Sequence, residues 1–289
     1  MLGLFPGGVE HLPDALLDAG LVEAVSARRA TRVSPPPFDP VRDSEIGVLN
    51  VAGLRQYTLE LASAVADVVD SGDFPLVLGG DCSIVLGSML ALRRRGRYGL
   101  LFLDGHADFY QPEAEPNGEA ASMDLALVTG RGPAVLTDFV GGGPLVGDAD
   151  VVQFGRRDAH AAAEAGSQRI EDTDIHVIDL AAIRRVGVHT AANDAIAHLT
   201  RSEIDGFWIH LDCDVLDDAI MPAVDYRQAG GLGWDELVTT IQLAVGSGRA
   251  VGLEITIFNP RLDEDGSIAR ALVGCIAASL DSGSASARM

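Results

Sequence analysis

The chain of 289 residues is short of cysteine, basic side chains, aromatics and long apolar runs, and each shortage excludes a class of protein. Only three cysteines occur, Cys82, Cys213 and Cys275, none in a C-x-x-C pair, so a disulfide framework is excluded. Lysine and arginine number 21 against 42 for aspartate and glutamate, a formal charge of −21 that repels nucleic acid and anionic membrane surfaces. No stretch approaches the roughly 18–20 apolar residues of a membrane span, and the opening MLGLFPGG shows no basic region, apolar core or cleavage site. A cytoplasmic protein is expected, with neither nucleic acid nor membrane as a partner.

What is present is ordinary globular composition, 47% hydrophobic and 22% charged. The length suits a single domain over 1–289, with 281–289 a small, polar, frayed tail. Short apolar runs alternate with stretches of helical period, which is the pattern of βαβ units. The runs predict strands at Phe74–Leu78, Tyr98–Leu103, Val151–Gly155, His176–Ile178, Phe207–Leu211 and Ala250–Ile255. Their unbroken apolar character suggests strands covered on both faces, as in a parallel sheet. Helices are predicted at Leu54–Val69, from Ile84 to about Leu92, Ala191–Leu199, Asp235–Val245 and Ser267–Leu280, the last with Ser267 as its cap. Gln111–Ala121 and the GGGP at Gly141–Pro144 read as loops. The fold class is therefore α/β with a doubly wound sheet.

In such a sheet ligands bind beyond the carboxyl ends of the strands. Three polar clusters fall there. Asp104, His106 and Asp108 follow the strand at Tyr98–Leu103 at every second position, which puts all three on one side if the chain stays extended. Asp212 and Asp214 follow Phe207–Leu211 at the same spacing, with Cys213 pointing away into packing. Asp81-Cys82-Ser83 follows Phe74–Leu78. Four carboxylates gathered in a partly dry cleft repel one another unless cations neutralise them. A mostly oxygen donor set with one imidazole suggests two divalent ions, manganese rather than a single zinc, able together to activate a water for hydrolysis. Any one Asp-x-Asp after a strand is more often a turn or a cap; it is the three clusters together that favour metal. Cys213 and Cys275 read as packing residues.

These motifs resemble the ureohydrolase family, which holds arginases, agmatinases and formiminoglutamases and is marked by GGDHS, DAHxD, a DxD followed by xxDP, and a late E-x-NP. The chain has GGDCS at Gly79–Ser83, DGHAD at Asp104–Asp108, LDCDVLDD at Leu211–Asp218 and LEITIFNP at Leu253–Pro260, in the same order from about residue 40 to 275. The resemblance implies a three-layer α/β/α fold around a mainly parallel eight-stranded sheet, and two Mn²⁺ ions. It would place one ion on Cys82, Asp104, Asp108 and Asp212 and the other on Asp104, His106, Asp212 and Asp214. Those aspartates and His106 would then be catalytic through the water that the ions hold, which attacks a guanidine carbon.

Three departures from the family pattern bear on the substrate. Cys82 stands where the first ligand is histidine, and a nearby dication can hold it as thiolate. The histidine that carries protons falls on Ala121, in EAASMDLAL. The glutamate that pairs with the guanidinium falls on Ile257, since Glu254 lies three residues earlier and on a strand faces the other way. An N-hydroxyguanidine is less basic than a guanidine, enters neutral and needs no counter-charge, so Nω-hydroxy-L-arginine hydrolysis to hydroxyurea and L-ornithine is the expected reaction, a pattern similar to amidinohydrolases of antibiotic biosynthesis. Arginine, agmatine, formiminoglutamate, or a non-catalytic metal-binding role are the alternatives. By the same resemblance Asn117, Asp158 and His160 are expected at the amino-acid end of a small-molecule substrate, with Tyr226 and Ile257 lining the pocket. Only 29 residues follow Pro260, so a monomer is expected.

Overall fold

The computed structural model describes residues 1–281. Six strands form one sheet: β1 (Leu76–Leu78), β2 (Tyr98–Leu103), β3 (Val151–Phe154), β4 (His176–Ile178), β5 (Gly206–Asp212) and β6 (Ala250–Thr256). Their order across the sheet is β1-β6-β5-β2-β3-β4, and every pairing is parallel. The predicted strands are therefore all present, with ends shifted by a residue or two at β1, β3, β5 and β6.

Alternation along the strands sends side chains into two apolar layers, one on each side of the sheet. Leu100 and Phe102 of β2 join Trp208 of β5 and the helices Val51–Asp70 and Val85–Arg93. Leu101 and Leu103 join Ile209, Leu211, Leu253 and Ile255 against the helices Val188–Leu199, Trp234–Gly246 and Ser267–Leu280. This is the three-layer α/β/α arrangement, and burial on both faces is why the strands carry almost no polar residues until their carboxyl ends.

Two expectations need correction. The sheet has six strands among the described residues, not eight; pairing outside them is limited to the isolated bridges Arg42–Leu49 and Leu216–Leu232. Ser267 is the first helical residue and not the cap. Gly266 occupies the cap position in left-handed conformation, while Asp265 accepts from the Ser267 N–H and Asp263 from those of Ile268 and Ala269. The expected frayed tail lies, apart from Asp281, outside the described residues.

One face of the central strands leads toward the polar strand ends. Register pairs Trp208 with Gly252, His210 with Glu254 and Asp212 with Thr256, all on the same side of β5 and β6. Gly252 is needed there because a Cβ would overlap the Trp208 ring. Gly252→Ala is expected to destabilise the fold by about 1–3 kcal/mol in urea titration, the usual range for overpacking a filled core. Wild-type stability in that variant would show that the Trp208 contact is not tight.

Candidate metal centre

The sheet brings the three polar clusters to one place. β2 and β5 are neighbours, so Asp104 and Asp212 leave adjacent strand ends, and β1 delivers Cys82 from across β6. Cys82 Sγ donates to Asp212 Oδ2 at 2.8 Å and lies 3.1 Å from Thr256 Oγ1 at the end of β6. Asp214 Oδ2 lies 2.8 Å from His106 Nδ1, and Asp214 Oδ1 accepts from the Gly105 N–H at 3.0 Å. The ligand atoms of Asp104, His106 and Asp108 lie within 4.8 Å of one another, as do those of Asp104, Asp212 and Asp214.

The chain after β2 is not extended, which corrects the basis on which the three residues were expected to share a side. It is wound into a turn by side-chain acceptors and donors. The His106 N–H is bonded to Asp104 Oδ1 at 2.6 Å, and Gln153 Nε2 donates to the carbonyls of Asp104 and His106. Asp108 then takes φ +44°, a left-handed conformation that aspartate tolerates better than most residues. Gly105 fits because a Cβ would overlap the Arg157 guanidinium, which donates to the Asp214 carbonyl at 2.7 Å.

Asp81, beside Cys82, is structural. It accepts from the backbone N–H groups of Leu2, Gly3 and Ser83 and so ties the N-terminal segment to the turn after β1. Asp158 is similarly engaged: one oxygen takes the Arg156 guanidinium and the other the Ala107 N–H, which clamps the turn that carries His106. His160 stands on the surface with Glu164 as its partner. Asn117 is exposed and Tyr226 is 47% exposed; both donate to Glu119 Oε2. Ile257 is buried at 5% exposure with φ +66°, an unfavourable conformation for a β-branched residue. Ala121 is buried as well. The structure thus gathers Cys82, Asp104, His106, Asp108, Asp212 and Asp214, and leaves His160 outside that cluster as a surface residue.

Two residues that the sequence reading passed over join the cluster. Asp124 opens the short helix Asp124–Val128, is fully buried, and comes within 4.8 Å of Cys82 and Asp108. His210, also fully buried, does the same with Cys82 and Asp104. Asp124 reads in sequence as first-turn charge; the signal for His210 is its place two residues before Asp212 in an otherwise apolar strand.

Electrostatics show how poorly the cluster is balanced by protein alone. Burial and neighbouring carboxylates push Asp108, Asp124 and Asp212 well above the usual carboxylate range, and Asp104 up to about 6. Burial, then Asp212, raises the Cys82 thiol. Burial works against a charged His106, yet Asp214 and Asp104 hold it protonated, while Asp214 is kept low against burial by His106 and Arg157. Asp104 Oδ2, both Asp124 oxygens and His210 Nε2 have no hydrogen-bond partner though buried. Orphaned buried acceptors beside a thiol and an imidazole fit divalent cations, which would take those lone pairs and neutralise the charge.

The arginase family model matches residues 4–280. An arginase of Staphylococcus aureus is 27% identical over 277 residues, 93% of this chain and 90% of that one. An arginase of Bacillus caldovelox is 29% identical over 291 residues, 95% of this chain and 94% of its own. The crystal structure of a Bacillus caldovelox arginase superposes with a TM-score of 0.87 at 27% identity, covering 95% of this chain and 93% of that chain. The chain belongs to the arginase family, hydrolases of C–N bonds in amidines that are typically binuclear manganese enzymes.

The raised carboxyls set a pH dependence. Without metal, the folded state keeps protons that the unfolded chain loses near about pH 4, so stability falls as pH rises above about 4, by about 1.4 kcal/mol per pH unit for each retained proton; the contribution of Asp104 is lost by about pH 6, and those of the more strongly raised Asp108, Asp124 and Asp212 continue to fall beyond it. Within the cluster Asp214 acts oppositely, in the acid range below about pH 4. The metal-free chain should melt at lower temperature at about pH 8 than at about pH 6, and Mn²⁺ should raise the melting temperature more at the higher pH, since ligands must shed their protons to bind. A metal-free chain at least as stable at about pH 8 would contradict the assignment of buried, proton-retaining carboxyls.

Proposed function

We propose that this chain is an amidinohydrolase that cleaves Nω-hydroxy-L-arginine to hydroxyurea and L-ornithine, using Cys82, Asp104, His106, Asp108, Asp212 and Asp214 to hold two divalent cations, Mn²⁺ in the family's usual form. The observation that carries the substrate is Ile257. A buried apolar side chain stands at the position where the resemblance implies a carboxylate for a guanidinium. A cationic guanidinium placed against it would lose hydration with no counter-charge, whereas a neutral N-hydroxyguanidine would not. The unfavourable φ of Ile257 supports the same reading, because strained backbone is retained most often where function holds it.

Bound cations would supply an activated water and polarise the amidine. The protein's own tasks are then positioning and charge. Asp104 and Asp212, at neighbouring strand ends, would hold the cations together with Asp214 and His106, whose Nδ1 lies 2.8 Å from Asp214 Oδ2. Water adds to the amidine carbon, the bond from that carbon to the δ-nitrogen breaks, and the leaving amine takes a proton. Ala121 cannot supply that proton, a smaller handicap for a less basic substrate. Asn117 and Tyr226, which share Glu119, are the groups open to the amino-acid end, and Asp158 acts by holding the turn at Ala107. His160 at the surface has the weakest claim to a substrate contact.

Ornithine release by the Mn²⁺-loaded chain should be at least about 100-fold faster in kcat/KM from Nω-hydroxy-L-arginine than from L-arginine, with agmatine and formiminoglutamate not hydrolysed; the margin is typical of discrimination by an unpaired buried charge. Equal or preferential turnover of any of the other three would overturn the substrate assignment. Ile257→Glu should narrow the ratio in favour of arginine. Asp104→Asn and Asp214→Asn should each lose more than about 100-fold in turnover with unchanged circular dichroism; full activity in either would remove it from the site.

A further inference from the structure

We infer that His210 and Asp124 are themselves metal ligands, His210 in a set with Cys82 and Asp104 and Asp124 in a set with Cys82 and Asp108, and that ligation through the shared Cys82 creates a position one rung deeper along the sheet than the family-like set, suited to a thiophilic divalent ion, zinc above all. The inference rests on reading the strand-end cluster as a metal centre.

His210 is prepared for coordination. Its ring lies stacked on Phe102, with centroids 4.4 Å apart and planes 9° from parallel. Its Nδ1 is 2.7 Å from Glu254 Oε1, and the other Glu254 oxygen accepts from Ser88 Oγ at 2.6 Å. A carboxylate at Nδ1 makes that nitrogen the donor and leaves Nε2 with its lone pair, the arrangement that fixes tautomer and orientation in metal-bound histidines. Nε2 is buried and has no partner. With Nδ1 committed, it is the nitrogen available to the set in which His210, Cys82 and Asp104 come within 4.8 Å.

Asp124 makes the second, independent observation. Both its oxygens are orphaned in the interior, and its carboxylate comes within 4.8 Å of Cys82 and Asp108. Cys82 is common to both sets. A thiolate sulfur stands closer to its own backbone than an imidazole nitrogen would, so ligation through Cys82 draws an ion back toward the sheet, where His210 and Asp124 offer free atoms. One sulfur, one imidazole nitrogen and carboxylate oxygens are a softer set than the oxygen-rich one around His106, and sulfur with nitrogen selects zinc over manganese. The cysteine in place of histidine, the buried His210–Glu254–Ser88 chain and the orphaned Asp124 are then one feature.

Metal alone is the probe. The full-length metal-free chain is titrated with Co²⁺, and thiolate-to-cobalt charge transfer reports binding at Cys82. His210→Gln and Asp124→Asn should each raise the Co²⁺ concentration needed for that band by at least about tenfold, and Glu254→Gln should weaken it through His210, as loss of a ligand's supporting carboxylate does. A band of unchanged intensity and midpoint in both His210→Gln and Asp124→Asn would overturn the inference. Zinc X-ray absorption on the wild-type chain with one equivalent bound avoids any folding defect of the variants. Sulfur and imidazole in one coordination shell supports the inference; sulfur with oxygen only, or no sulfur, overturns it. Co²⁺ binding that depends on Asp212 and His106 but ignores His210 and Asp124 would sink only this inference, whereas no binding of Co²⁺ or Mn²⁺ at all would sink the metal-centre reading with it.

Discussion

Like-charge repulsion in a confined space governs everything about this site. Parallel strands β2 and β5 end side by side, and each leads into an aspartate, so Asp104 and Asp212 cannot separate without breaking the sheet. Asp214 comes within 4.8 Å of both, Asp108 within 4.8 Å of Asp104, and Asp124 within 4.8 Å of Asp108. The protein contributes little to balance them: His106 and, from behind, Arg157 relieve Asp214, while the remaining carboxyls are driven toward their neutral forms. Such an arrangement is unstable as a set of anions and well suited as a set of ligands. The surrounding turns hold the carboxylates in place through backbone N–H groups at Gly105, His106 and Asp214.

Reactivity and specificity then separate onto different elements. The strand ends supply the candidate ligand cage, held by a sheet covered on both faces. In the proposed function selectivity would lie in the segment after β6, where Ile257 is carried by a left-handed kink directly after Thr256, which touches Cys82. On that proposal a change at residue 257 would alter what the cleft accepts without disturbing the cage, which would let one family scaffold keep hydrolysing C–N bonds while changing the amidine it takes. The loop between Asn117 and Glu119 meets Tyr226 at a third place, away from the strands.

The fold was legible wherever apolar runs are bounded sharply. Tyr98–Leu103 and His176–Ile178 are predicted to the residue because an aspartate, Asp104 or Asp179, directly ends each run, and β1 starts later than its apolar run because Phe74-Pro75 precedes the first paired residue. That Cys82, Asp104, His106, Asp108, Asp212 and Asp214 lie together was legible from spacing two after a strand and from the resemblance. Asp124 was not, because one acid at a helix start has an ordinary explanation in the helix dipole. His210 was not, because its partner Glu254 lies 44 residues away and only the β5–β6 register brings them opposite. The expected eight strands rested on the resemblance alone, with no apolar run to mark the additional two, and the Ser267 cap gave way to Gly266, a glycine better suited to the left-handed cap position.

The metal-centre assignment stands or falls on whether divalent cations occupy this cleft. Anomalous diffraction from crystals grown with Mn²⁺ tests that directly. The predicted result is anomalous peaks among Cys82, Asp104, His106, Asp108, Asp212 and Asp214, with the protein's carboxylates turned onto them. A cleft with no anomalous peak, its aspartates protonated and hydrogen-bonded to one another, would contradict it.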